Sequence, residues 1–117
     1  MSRVALLAAF AAFATGSASA QALTDGQAKG KALFDGTCVY CHGPQGHATV
    51  LLRRRLGDKD ALLAERNNLT APYVRIAVRR GVMSMPTYRR AELSDADLAA
   101  ITDYLTRSNP PGGSTQQ

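Results

Sequence analysis

Apolar residues in this chain recur every three or four positions over several short stretches, and those stretches are separated by glycine, proline and asparagine. No segment alternates with period two for long enough to read as a strand, so the pattern predicts an all-helical domain with long loops. The clearest apolar face lies late in the chain, where Leu98, Ile101 and Leu105 stand at helical spacing beside Tyr104. Ser94, with Asp95 and Asp97 in the first turn, caps that helix. An earlier helix opens at Thr24, which forms a capping box with Gln27, and runs about ten residues to Asp35-Gly36 with Ala28, Ala32, Leu33 and Phe34 on its apolar side. Gly30 lies inside it at a cost of about 1 kcal/mol relative to alanine, a cost that close approach by another helix would justify.

Between these two helices the pattern is less regular. Three glycines and Pro44 mark residues 36–50 as loop. The stretch Val50 to Leu56 mixes apolar residues with Arg53-Arg54-Arg55 and receives no assignment. Asp58 is placed to cap a short helix carrying Leu62 and Leu63, and Asn67-Asn68 breaks it. Thr70 as N-cap, with Pro72 inside the first turn, opens a helix through Val74, Ala77 and Val78. Gly81 is expected to stop it as a left-handed C-terminal cap. Val82 to Arg90 is irregular, and Pro86 pushes Met85 toward extended backbone. Asn109-Pro110-Pro111-Gly112-Gly113 ends the ordered pattern, so 109–117 is expected to be a disordered tail.

The first twenty residues read as something other than fold. Arg3 provides a positive start, Val4 to Ala14 an apolar run, and Ala18-Ser19-Ala20 the small residues at which a signal peptidase cuts. The run covers only about half the roughly 20 residues a membrane span needs. Residues 1–20 are therefore expected to be a cleaved signal peptide and 21–108 a single domain, exported to the periplasm with no stable membrane insertion. A domain this small, with no Trp, commonly draws stability from a disulfide, metal or cofactor. The whole chain carries +5; without Arg3, thirteen Lys and Arg face nine Asp and Glu, leaving +4. Export sets nucleic acid aside as a partner and leaves an acidic protein or an anionic surface.

The two cysteines stand in Cys38-Val39-Tyr40-Cys41-His42, the C-x-x-C-H pattern of covalent haem attachment. Two thiols at this spacing reach the two vinyl groups of a porphyrin, and the next residue, His42, falls under the ring centre as an iron ligand. Other chemistries use the same residue types. A zinc site would add His47 to Cys38, Cys41 and His42, but zinc motifs usually place a folded element between their ligand pairs. A thioredoxin-like pair needs a preceding strand, which the pattern lacks. A simple disulfide is open to any two exported cysteines.

With these residues the chain resembles the class I monohaem cytochromes c. The resemblance covers most of the chain after residue 20: the N-terminal helix with Gly30 and Phe34, the motif with Cys41-His42-Gly43-Pro44-Gln45-Gly46, the Met85-Pro86 loop, and Ile101-Thr102-Asp103-Tyr104-Leu105. It implies a cytochrome c-like fold of three to five helices wrapped around one covalently attached haem c. In that family the first and last helices cross closely, which supplies the packing reason for Gly30, with Tyr104 and Leu105 opposite. The family's sixth iron ligand is a late methionine, often followed by proline; Met85 is preferred on that ground over Met83, with His47 or an open position as the remaining options. The resemblance implies no catalytic residues and a one-electron carrier, either a soluble shuttle or the cytochrome subunit of a flavin or quinone dehydrogenase, passing electrons to a terminal oxidase or another cytochrome. A haem enzyme or gas sensor with an open sixth position is the alternative. One departure stands out: many members anchor the proximal histidine on a carbonyl in a proline-containing segment, and Ala48-Thr49-Val50-Leu51-Leu52 has no proline. Arg79-Arg80 and Arg89-Arg90 flank the Met85 loop and are placed to steer an acidic partner, with Tyr73, Tyr88 and Arg66 as candidate contacts for haem propionates.

Overall fold

The computed structural model describes residues 22–109. The expected leader at 1–20, and all of the expected tail except Asn109, lie outside the described residues. Among the described residues five α-helical segments follow one another: α1 (Asp25–Leu33), α2 (Val39–His42), α3 (His47–Leu56), α4 (Ala71–Arg80) and α5 (Asp95–Leu105). No strand occurs among the described residues, and the fold is the all-α, cytochrome c-like one expected. None of the described helices is long and apolar enough to cross a membrane.

The caps predicted at Thr24 and Ser94 both form. The Thr24 hydroxyl accepts from the Gln27 N–H and the Gln27 side chain accepts from the Thr24 N–H, at 3.3 and 3.2 Å. At α5 the Ser94 hydroxyl accepts from the Asp97 N–H at 3.1 Å. The two helices cross where Gly30 meets Ala100, so closely that a Cβ on Gly30 would lie 1.9 Å from the Ala100 carbonyl oxygen. This is the packing reason for a glycine mid-helix. Around the crossing, Phe34, Leu69, Val74, Ile101, Tyr104 and Leu105 form the buried core. The Phe34 and Tyr104 rings meet at 5.9 Å and 55°, within the range of favourable tilted aromatic pairs. The Arg107 guanidinium covers the Tyr104 ring at 4.4 Å. Asn109, where the tail was expected to begin, donates from Nδ2 to the Leu69 carbonyl at 2.9 Å.

Residues 36–50 are not the loop expected from their glycines. Helical backbone continues beyond Leu33 through a π-helical stretch, Phe34–Cys38, in which the Val39 N–H reaches back five residues to the Phe34 carbonyl. It then passes into α2 and ends only at Gly43, whose backbone is extended. Gly36 is tolerated because it faces open space, and no proline interrupts the N–H ladder before Pro44. The loop shrinks to Gly43–Gly46. A Cβ on Gly46 would lie 2.1 Å from the Cys41 carbonyl oxygen, so only glycine lets α3 start against the motif. The unassigned stretch belongs to α3, with Arg53, Arg54 and Arg55 in its last turn, where cations favour the helix dipole.

Two further expectations need correcting. The short helix carrying Leu62 and Leu63 is instead two 3-10 turns, Asp58–Asp60 and Leu63–Glu65. The run between Gly57 and Asn67 is too short to offset the nucleation cost of an α-helix. Gly81 does end α4, but with φ 72° and ψ 163° it is extended rather than left-handed helical, a region essentially restricted to glycine. Thr70 occupies the N-cap of α4 as expected, although its hydroxyl makes no capping bond.

Candidate functional site

The motif sits where the first long helical run ends. Cys38 closes the π-helical stretch, while Cys41 and His42 lie on the single turn of α2. The extra residue in the π stretch turns α2 by about 100° relative to a regular helix. Cys38 and Val39 pack against the core as a result. Both thiols are free; Cys38 is half-buried and Cys41 exposed. Burial, and then the neighbouring Cys41 charge, push the Cys38 thiol up to about 11, so it keeps its proton at neutral pH. Burial lowers the His42 pKa, which keeps its imidazole neutral and able to ligate a metal.

Two buried polar atoms among the described residues have no hydrogen-bond partner: Nδ1 of His42 and Oγ1 of Thr49. Buried polar atoms are nearly always paired, so each is a site where a further group would be expected. His47, the fourth member of the hypothetical zinc set, is exposed at the start of α3. No group of three or more His, Cys, Asp and Glu able to hold a metal ion occurs among the described residues.

The two methionines diverge. Met83 has a positive φ of 54° and is 81% exposed, and its sulfur accepts from Arg55 Nη1 at 2.6 Å. Met85 is half-buried, and its N–H donates to the Val82 carbonyl at 2.9 Å. Its own carbonyl presses on Gly81, where a Cβ would come within 2.5 Å. Further along the loop, the Tyr88 N–H donates to the Val78 carbonyl at 2.9 Å. Burial first, then the fields of Cys38 and Cys41, raise the Tyr88 phenol, which brings this side of the loop within electrostatic reach of the motif.

Apolar side chains are left uncovered on three parts of the chain: Leu56 at the end of α3, Tyr73 and Ile76 on α4, and Val82 on the loop. Two free thiols, a half-buried neutral histidine with an orphaned ring nitrogen, a half-buried thioether and exposed apolar side chains are what a covalently held, largely apolar macrocycle requires, so the residues fit a haem.

The arginines have divided roles. Arg79, expected on the surface, is only 20% exposed and is spent on internal contacts. Arg90 pairs with Asp95 at 2.7 Å and Arg53 with Asp58 at 2.8 Å. Arg80 and Arg89 make no ion pair among the described residues, and with Arg79, Thr87, Tyr88 and Arg90 they line a basic concavity of about 590 Å³. Arg66 bonds Asn68 at 2.8 Å, and Tyr73 is half-exposed. Thr49 and Arg79 escaped sequence reasoning. Thr49 was hidden inside an apolar run, and Arg79 was indistinguishable in pattern from the arginines around it.

Comparison with known proteins agrees with this geometry. The family model described as "Cytochrome C oxidase, cbb3-type, subunit III" matches residues 25–105. The chain is 28% identical over 95 residues to the 4-cresol dehydrogenase (hydroxylating) cytochrome c subunit of Pseudomonas putida, covering 80% of this chain and 74% of that protein. No solved structure matches the chain.

Proposed function

The chain belongs to the cytochrome c family whose model spans residues 25–105, and from that premise we propose which residues hold its haem, where it works and which reaction it serves. It is a one-electron carrier with a single covalently attached haem c. Cys38 and Cys41 would hold it through two thioethers, and His42 and Met85 would be the ligands to its iron. The chemistry supplied by the group when bound is the holding and release of one electron at iron.

The chain's own residues set the conditions for that exchange. His42 is held neutral by burial, so no proton competes for its ligating nitrogen. Met85 brings a soft, uncharged sulfur, which favours ferrous iron and raises the potential relative to a second histidine. Met83 is the poorer candidate because Arg55 already engages its sulfur and its side chain lies in solvent. With both His42 and Met85 holding the iron, no position would be left for a substrate, which suits outer-sphere transfer and assigns no catalytic residue. Arg80 and Arg89 project positive charge beside the Met85 loop, where an acidic partner is steered to dock.

The protein acts in the periplasm after cleavage behind Ala20, as the cytochrome partner of a flavin or quinone dehydrogenase, and passes its electrons to another cytochrome or a terminal oxidase. The relative from Pseudomonas putida, itself the cytochrome c subunit of a dehydrogenase, supports that choice over a free shuttle. The observation that carries the reading is the C-x-x-C-H motif within a chain matched from 25 to 105 by a cytochrome c family. Affinity purification of the tagged protein from its native periplasm tests it. A stoichiometric dehydrogenase whose substrate reduces the cytochrome is expected; a monomeric cytochrome that no co-purifying dehydrogenase reduces would return the free shuttle to first place.

A further inference from the structure

We propose that Arg79 is the positioning residue for Met85: it clasps the return of the ligand loop and so sets how firmly the sulfur stays on iron. The inference rests on Met85 being the axial ligand. Residues Gly81 to Leu93 contain no helix, so the position of Met85 depends on how the two ends of its loop are fixed. Both ends are pinned to the last turns of α4. At the first end, the Gly81 N–H donates to the Ala77 carbonyl at 2.8 Å, and Gly81 lies so close to the Met85 carbonyl that no side chain would fit. At the far end, the Tyr88 N–H donates to the Val78 carbonyl at 2.9 Å.

Arg79 completes the clasp. Its Nη1 donates to the carbonyls of Tyr88 and Leu93, each at 2.9 Å, and its Nη2 to Asp95 Oδ1 at 2.7 Å. One planar guanidinium therefore joins α4, both flanks of the loop return and the start of α5. The fixed fork of arginine satisfies three acceptors in three directions, which a lysine ammonium on a flexible stem holds less rigidly. Charged donors to carbonyls are among the stronger hydrogen bonds, and this one is largely shielded from solvent. Without it, the far end of the loop keeps a single backbone bond to α4. The core around Phe34, Ile101 and Tyr104 does not include Arg79, so loosening the loop need not unfold the domain. The result would be a lower local concentration of the Met85 sulfur at iron.

The test uses the haem-loaded protein with Arg79→Ala, Arg79→Lys, Asp95→Asn and Met85→Ala. Three quantities are read on each: the near-infrared band of a methionine–iron bond, the rate of carbon monoxide binding to the reduced form, and helix content by circular dichroism. R79A is expected to weaken the band and to speed carbon monoxide binding by about tenfold, a change expected from a loosened ligand loop, with helix content intact. R79K should fall between R79A and wild type. D95N keeps the two carbonyl contacts and should retain the band. Wild-type band and binding rate in both R79A and R79K overturn the inference; if R79A does not fold, wild-type values in R79K alone do so. M85A separates the two levels: an unchanged band in M85A defeats the ligand assignment itself, whereas loss in M85A with no change at Arg79 defeats only the positioning role.

Discussion

Replacing Gly30 by alanine tests the close crossing of α1 and α5. The new Cβ would meet the Ala100 carbonyl oxygen at 1.9 Å, its carbon at 2.5 Å and the Ile101 nitrogen at 3.0 Å. All three are backbone atoms, so no rotamer change relieves the clash. Restoring ordinary contact moves the helices apart by about 1.5 Å, and a gap of 0.5–1 Å already forfeits roughly a quarter to a half of a dispersion well. That separation would loosen the packing of α1 against Ile101, Tyr104 and Leu105 in the core. Overpacking of this kind costs about 1–3 kcal/mol or more, while alanine returns about 1 kcal/mol of helix propensity. A clash with backbone at 1.9 Å belongs at the upper end of that cost, so a net loss of about 2 kcal/mol is expected, or roughly 8–16 °C in Tm for a domain this size. Gly26 is the matched control: it lies in the same helix with nothing within 4 Å of its Cβ position. G26A should be neutral or gain up to about 1 kcal/mol. Thermal unfolding of the haem-loaded variants, followed by circular dichroism and by visible absorption, gives both signs. G30A as stable as G26A would refute the close crossing of α1 and α5.

Three further predictions concern particular side chains. The carboxylate of Asp95 is held below its ordinary range, first by its hydrogen bond to Arg90 and then by that to Arg79, and Asp97 likewise by Lys29 and then Ser94. Their contribution to stability is therefore present above the usual carboxylate pKa of about 3.9 and is lost as pH falls through the lower folded values. D95N should flatten the acid limb of a Tm–pH curve, and an unaltered limb would exclude Asp95 as a source. Thr49 buries its hydroxyl without a partner, so T49V should be neutral or stabilising by up to about 2 kcal/mol in denaturant unfolding. A loss above about 1 kcal/mol would mean that the hydroxyl finds a partner in the loaded protein. If Arg80 and Arg89 steer docking, the rate of electron exchange with the physiological partner should fall with ionic strength, and R80E/R89E should flatten that dependence. A rate already indifferent to salt in the wild type contradicts the steering.

Features encoded within three or four residues were legible in the chain. Thr24 with Gln27, and Ser94 with Asp97, announced their helices because a cap is a local contact. Gly30 could be read because a mid-helix glycine carries a cost that demands a packing reason. The C-x-x-C-H motif was equally local. Features that depend on distant backbone were not legible. Glycines around the motif suggested a loop, whereas Gly36 simply sits in a π-helical stretch and Gly46 serves close approach to Cys41. The Arg53-Arg54-Arg55 run obscured α3, because three cations interrupt the apolar rhythm that its first two turns carry. Arg79 could not be told from Arg80, since its partners are carbonyls nine and fourteen residues away that leave no trace in the pattern.

A potentiometric titration of the haem-loaded protein, followed by its visible absorption, tests the central claim most directly. A one-electron carrier on one haem predicts a single wave with a slope of about 59 mV per decade, with the chromophore still attached after denaturation. A colourless protein titrating at about 30 mV per decade, the two-electron slope of a Cys38–Cys41 dithiol and disulfide, would contradict it.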